Sequence, residues 1–362
     1  VAEPVQAPTR TPRKPFDSLV ANGESFPMIT PILHHYPSSP FAEKARLMLG
    51  FKGLAWQSVH IPMVMPKPDV VALTGGYRRT PLLQIGADIY CDTALIATVV
   101  EHLKPPFAGP LQERQNPLGG PGEARVGGEV QALFPEHLKG LARIVAQWAD
   151  SELFWSAMGY NLGPKGAAAL FAGQSPDAAQ AFAADRGAMS AGMSRLRPGD
   201  ATVAYRSHLR RLAHMLHEQP FLLGEQPCIA DFAAYHPLWF TRVVNPAMAG
   251  ILQATPGVIA WMDRMAAFGH GQAVKRSSTE AIAIAAAADP APLADEAFQD
   301  DHGIALGSRV SVAAQSFGTE TTEGTLVAAT RTQVTLARTD ERAGLVHVHF
   351  PRIGYVLKEV RA

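Results

Sequence analysis

In the stretch ILHHYPSSPFAEKARLMLG, residues 32–50, a serine sits where an apolar strand turns into a helix. Ile32 to Tyr36 favours a strand, and Phe41, Ala45, Met48 and Leu49 recur at the spacing of one helical face before Gly50 supplies a stop. Pro40 suits a first helical position, because its φ is already helical and its missing N–H would have had no partner there. Ser39 is then the N-cap. Such a serine can simply accept an N–H of the first turn. It can also donate its own proton to an anion, which would meet free N–H groups and the positive end of the helix dipole at the same place. A thiolate would be stabilised there, and Ser38 is the competing donor.

A second group follows in YRRTPLLQIGADIYCDTALIATVVE, residues 77–101. Thr80-Pro81 leads into two apolar runs split by Gly-Ala-Asp, which read as a hairpin, and Asp92 and Thr93 then fall where the next helix begins. Further on, His208, His214 and His217 share one helix, and His347 and His349 share one strand face. Their spacing is ligand-like, but no acidic or cysteine partner lies nearby in sequence, so no metal is expected. His34 and His35 differ, since one of them should face the cleft at the end of its strand.

The elements that must hold these residues fall into three patterns. Residues 28–108 alternate strand and helix: ILHHY, the helix from Pro40, AWQSVHI, a Pro/Gly-rich connection, PLLQIG, DIYCD and the helix TALIATVVEHL. This is a small α/β domain with a mixed sheet. Residues 109–288 form an all-helical domain, in which strand signals almost vanish over 124–285. A proline-containing linker, 289–299, leads to residues 300–362, whose alternating, β-branched segments read as a small β-sheet or barrel. Its apolar VHVHFPRIGYVL is more than so small a sheet can cover alone, so it is expected to dock on the rest of the chain. Residues 1–27, proline-rich at their start, read as a mobile tail.

Composition narrows the function. Thirty-two basic residues balance thirty-two acidic ones, so no overall field attracts nucleic acid or an anionic membrane surface, and neither partner is expected. No apolar run is long enough to cross a bilayer. Two cysteines, Cys91 and Cys228, exclude a disulfide framework and a cysteine-rich zinc site and fit a reducing compartment, with cytoplasm the default.

Ser-Pro-Phe at a strand-to-helix junction, Thr-Pro opening a hairpin and an acidic-hydroxyl pair at the next helix start together resemble the glutathione transferases, nearest to the tau and omega classes. The likeness is strong over 28–103 and weaker over the helical domain, where FLLGEQPCIADF resembles the family's core helix, with Cys228 in place of the capping hydroxyl and Asp231 retained. It implies a thioredoxin-like fold followed by the family's all-α domain; the last 63 residues, read from their alternating pattern as an all-β unit, SH3-like or barrel, lie beyond what that fold requires. It implies glutathione as co-substrate, with a cis Thr80-Pro81 bond turning the Thr80 backbone toward the cysteinyl portion. Asp92 and Thr93 would hold the γ-glutamyl end, and Arg79, with Arg78 beside it, would reach the glycyl carboxylate. Where those classes carry Glu-Ser, Asp-Thr here shortens the carboxylate's reach by one methylene.

Serine rather than cysteine at the helix start favours transfer or isomerisation over thiol–disulfide exchange. The expected activity is transfer of glutathione to a small apolar electrophile, with Ser39 stabilising the thiolate and a homodimer as one assembly. Trp148, Phe154, Trp155, Tyr160, Tyr235 and Trp239 could line the electrophile's pocket or serve as core. The stretch from Gly163 to Asp200, longer than the family's usual connection, could cover the site or decorate the surface. The alternatives are a non-catalytic scaffold on the same fold and a glutathione-dependent lyase, dehalogenase or isomerase.

Overall fold

The computed structural model describes residues 30–103, 132–293, 296–299 and 301–360; the expected N-terminal tail lies outside them. The first unit runs β1 (Ile32–His35), α1 (Pro40–Phe51), β2 (Ala55–His60), α2 (Pro68–Thr74), β3 (Leu82–Ile85), β4 (Asp88–Cys91) and α3 (Thr93–His102). Strand β1 pairs parallel with β2 and antiparallel with β3, and β3 continues antiparallel to β4, giving the thioredoxin-like mixed sheet. Helix α2 lies in the segment that reads as a Pro/Gly-rich connection. Pro68 starts it, and Gly75, at φ 83°, ends it in the left-handed conformation that glycine adopts freely.

The helical unit comprises α4 (Lys139–Trp148), a π-helical turn at Ala149–Leu153, α5 (Phe154–Asn161), α6 (Pro164–Leu170), α7 (Pro176–Met189), α8 (Pro198–Met215), α9 (Ile229–Trp239) and α10 (Pro256–Ala266). Helix α9 packs against α1 and α4. Fully buried Asp231 accepts the N–H groups of Leu222 (2.8 Å) and Cys228 (3.0 Å) and the indole N–H of Trp261 (3.0 Å). Cys228 and Asp231 form a capping box: the carboxylate takes the Cys228 N–H, and the thiol sulfur, a weaker acceptor than a hydroxyl, faces the Asp231 N–H.

The chain then returns to the first sheet before the expected linker. Strand β5 (Gln272–Arg276) pairs parallel with β2, and α11 (Ser278–Ala286) packs on α2 and β2. The all-helical pattern of 124–285 does not signal β5, which is exposed over four of its five residues and held by its backbone ladder.

The appended unit is β6 (Arg309–Ala314), β7 (Thr322–Ala329), β8 (Gln333–Asp340), β9 (Gly344–Pro351) and β10 (Tyr355–Glu359). Its strands are antiparallel neighbours in the order β10-β6-β7-β8-β9, and β9 pairs parallel with β4, so one ten-stranded sheet crosses both units. No ladder joins β10 to β9 among the described residues. The two units share one buried apolar cluster, in which Ile32, Leu82 and Ile89 meet Leu336, Val348 and Phe350. Gly76 permits the approach: a Cβ there would lie 2.0 Å from the Thr321 carbonyl oxygen.

Candidate active site

Register brings the singled-out residues to one end of the sheet. His34 on β1 lies opposite Leu82, and Leu82 opposite Cys91, so the turn after β1, the approach to β3 and the exit from β4 converge. Ser39, Thr80-Pro81 and Asp92-Thr93 occupy those three places. The Thr80-Pro81 bond is cis, as the family likeness implies.

Ser39 is the N-cap of α1, at φ −74° and ψ 121°, and its Oγ accepts the Ala42 N–H at 3.2 Å. It is buried, and among the described residues its own proton is given to no acceptor. Ser38 is half-buried and turned toward the Met63 sulfur, 4.0 Å away.

Asp92 caps α3 through Oδ1, which accepts the Ala94 N–H at 2.9 Å. It does so at φ 75°, a conformation costly for a side-chain-bearing residue and characteristic of functional sites when the surroundings enforce it. Its other oxygen accepts the Tyr355 hydroxyl at 3.0 Å and lies 3.7 Å from the Arg79 guanidinium. Thr93 is buried and accepts Lys44 Nζ at 3.3 Å.

Lys44, fully buried, continues to Asp150 (2.5 Å), which also takes His236 Nε2 at 3.0 Å. Burial alone would raise the Asp150 carboxyl, but Lys44 and His236 outweigh it and hold it below the usual range. This chain ties the start of α3 through α1 to the π-helical turn and α9. Lys44, Asp150 and His236 come from three distant segments, and nothing local in the sequence links them.

The arginines do not stand free. Arg79 donates from Nε to the Phe317 carbonyl (2.6 Å) and from Nη2 to the Ser316 carbonyl (2.8 Å), both in the β6–β7 turn. Arg78 pairs with Asp185 on α7 (2.5 Å) and Glu320 (2.6 Å). Gly318, at φ 69°, lets that turn sit down: a Cβ there would lie 2.9 Å from Met189 Cε and 3.4 Å from Arg79 Cγ. Helix α7 reaches the same edge, with Arg186 donating to the Tyr36 hydroxyl and the Met63 carbonyl, both at 3.1 Å. Within the long 163–200 connection, the end of α7 from Asp185 to Met189 thus lies along one side of the site, while most of the rest is exposed.

Lys67 is a residue that the motifs do not reveal. It is buried, with Nζ 3.3 Å from both Thr80 Oγ1 and the Arg78 carbonyl, and burial, aided by Arg186, lowers its ammonium to about 8.

An apolar wall begins beside Ser39. Phe41 packs on Phe154 (4.7 Å between ring centres), Phe154 on Trp155 (4.9 Å), and Trp155 on Phe317 of the appended unit (5.1 Å). Tyr235 belongs to the core, edge-on to Trp261, and Tyr160 packs on buried Tyr205. Neither His34 nor His35 faces a cleft. Strand β1 is covered on both faces, so His34 is buried against Gln84 (2.8 Å) and His35 between Ser58 (2.8 Å) and Arg46 (3.0 Å). No described helix is long and apolar enough to cross a membrane.

Family comparison agrees with this architecture. Residues 33–110 match the glutathione S-transferase N-terminal domain, and residues 129–264 match its C-terminal domain. Among solved structures, a GST-like protein from Pseudomonas syringae is 40% identical, with a TM-score of 0.71 over 92% of this chain and 100% of its own. That coverage extends into the appended strands. A glutathione S-transferase from Rhodospirillum rubrum F11 (17% identity, TM-score 0.43, 66% of this chain and 88% of its own) and the beta-etherase LigF from Sphingobium sp. strain SYK-6 (16%, 0.41, 66% and 95%) are far more distant. Among curated proteins nothing matches by sequence. With both domain models matched in order and a 40% identical relative spanned end to end, the chain belongs to the glutathione S-transferase family.

Proposed function

We propose that this chain binds glutathione at the sheet end described above and transfers it to a small apolar electrophile, with Ser39 holding the thiolate. The observation that carries this reading is the Ser39 hydroxyl, which accepts one helical N–H and keeps its own proton to give, at the positive end of α1. A free cysteine thiol titrates at about 8.5, so a shift of one or two units raises the thiolate fraction at neutral pH roughly tenfold or more.

In this reading the Thr80 backbone pairs with the cysteinyl portion, and Asp92 and Thr93 at the start of α3 receive the γ-glutamyl end. Arg79 meets the glycyl carboxylate by exchanging two neutral carbonyls for a charged partner, the stronger bond for a guanidinium. The Phe41–Phe154–Trp155 wall offers apolar surface for the electrophile. Family membership supports a homodimer, and the two buried thiols suit a cytoplasmic setting.

One observation favours the non-catalytic alternative. The appended unit already takes up Arg79 through two carbonyls and Asp92 through Tyr355. If that hold is permanent, the fold presents a surface rather than a reaction site. Calorimetric titration of the full chain with glutathione, followed by the structure of the complex, separates the two. Saturable binding with the sulfur within hydrogen-bond reach of Ser39 is expected. Absence of binding leaves the scaffold.

A further inference from the structure

His347 and His349, two residues apart on β9, lack an acidic partner in sequence, and the fold supplies one. Parallel pairing of β9 with β4 sets Asp88 opposite His347 and Tyr90 opposite His349. Because alternate residues of a strand share a face, Asp88 and both histidines point to the same side of the sheet. Asp88 Oδ1 lies 2.8 Å from His349 Nε2 and 3.9 Å from His347 Nδ1, and one donor atom from each of the three residues lies within 4.8 Å of the others.

The details around the cluster are those of ligands held in place. The His347 Nδ1 is buried and makes no hydrogen bond. His349 Nδ1 meets Thr335 Oγ1 at 3.0 Å from the adjoining strand β8, and its ring stacks on Tyr90, 4.5 Å away and 13° from parallel. The second oxygen of Asp88 accepts the Ala291 N–H at 2.7 Å, which leaves Oδ1 as the one turned toward the histidines. A ring nitrogen fixed by a hydrogen bond on its far side, and a carboxylate fixed on its other oxygen, are how outer partners orient metal ligands.

We propose that Asp88, His347 and His349 form a binding site for a zinc-class divalent cation at the junction of the thioredoxin-like and appended units. Two imidazole nitrogens and one carboxylate oxygen suit Zn²⁺, with a fourth position left for water. His349 Nε2 then exchanges its hydrogen bond to Asp88 for the cation, its proton moves to Nδ1, and Thr335 Oγ1 turns from donor to acceptor. The cation joins β4 to β9 and stabilises the docked arrangement, because it binds residues that only the folded junction brings together.

The test uses the full chain without a polyhistidine tag, stripped with chelator and titrated with Zn²⁺, with Co²⁺ as a spectroscopic probe. One equivalent of Zn²⁺ should bind and raise the melting temperature by several degrees at saturating metal, and Co²⁺ should show the visible bands of a low-symmetry site. His347→Gln removes a ligand whose Nδ1 holds nothing else, so stripped variant and stripped parent should melt alike. Its zinc affinity should fall by more than the roughly 10- to 100-fold that loss of an outer partner costs. Thr335→Val should fall within that range. A parent chain that binds no zinc, or a His347→Gln variant that binds it as the parent does, overturns the site and leaves a hydrogen-bonded junction.

Discussion

At the scale of single residues, Ser39 and Asp92 each do a structural task that can be separated from the proposed chemical one. Replacing Ser39 by Ala removes both the cap and the donor, so the cap's share, about 1 kcal/mol of stability, has to be measured beside turnover. Turnover of Ser39→Ala should drop roughly tenfold to ten-thousandfold with a smaller change in glutathione affinity, the range for a positioned donor. Ser39→Asp, which keeps a capping oxygen but has no proton to give, should restore stability but not rate. Full activity in Ser39→Ala with loss in Ser38→Ala would move the role to the neighbour. Asp92→Ala should weaken glutathione binding by about 1 to 3 kcal/mol by calorimetry, the scale for removing a charged hydrogen-bond partner. An unchanged dissociation constant would leave Asp92 as the cap of α3 and the acceptor of Tyr355. These positions were legible because helix starts have local signatures. Tyr355 and Phe317 were not, for they reach Asp92 and Arg79 across 263 and 238 positions of sequence.

At the scale of elements, β1 carries a pH dependence. Gln84 gives both amide hydrogens to carbonyls, of Gly86 and Ala281, so its Oε1 must accept from His34 Nε2, and His34 Nδ1 is left buried without a partner. Burial, set against the weaker pull of Gln84 and Asp69, lowers His34 to about 4. Burial and the nearby Arg46 lower His35 to about 3. Both folded-state values lie below the ordinary 6.5, so the unfolded chain takes up protons first. Stability should be fully present above pH 6.5 and decline from there through pH 4, where His34 titrates in the folded chain, to about pH 3, where His35 does. His34→Gln should flatten part of that slope in denaturant titrations at successive pH values. A slope identical to the parent's would show that His34 is not the group responsible. The same element scale explains where sequence reading stopped. Pro66-Lys67-Pro68 looks like a breaker, yet Pro68 at a helix start and Val70 and Leu73 on one buried face make α2. Gln-Ala-Val-Lys-Arg lacks alternation because β5 buries no face, only a ladder.

At the scale of the whole molecule, the appended strands are part of the transferase unit's own core. The excess of apolar residues in VHVHFPRIGYVL, Phe350, Ile353, Tyr355 and Leu357 among them, foretold docking; Phe350, Tyr355 and Leu357 are buried in the shared cluster with Val348, whereas Ile353, in the turn between β9 and β10, stays exposed. What composition could not foretell was the manner: β9 extends the thioredoxin-like sheet from β4, and Arg338 reaches back to donate to the Ala72 carbonyl of α2. Truncation after Asp289 therefore does two different things. It strips Ile89, Leu82 and Tyr77 of their covering side chains and leaves β4 as an open edge with unpaired backbone groups, a template for aggregation. It also frees Arg79 from the Ser316 and Phe317 carbonyls and Asp92 from Tyr355. The truncated chain should melt at a lower temperature and lose solubility. The surviving folded fraction should bind glutathione at least as tightly as the full chain, because its charged groups no longer have to leave other partners. Calorimetry on freshly purified truncated protein, beside a thermal scan, reads both. An equal melting temperature would show that the shared apolar cluster contributes nothing to the first unit's stability. Loss of glutathione binding from a folded fraction would show that the appended strands complete the site rather than compete for it.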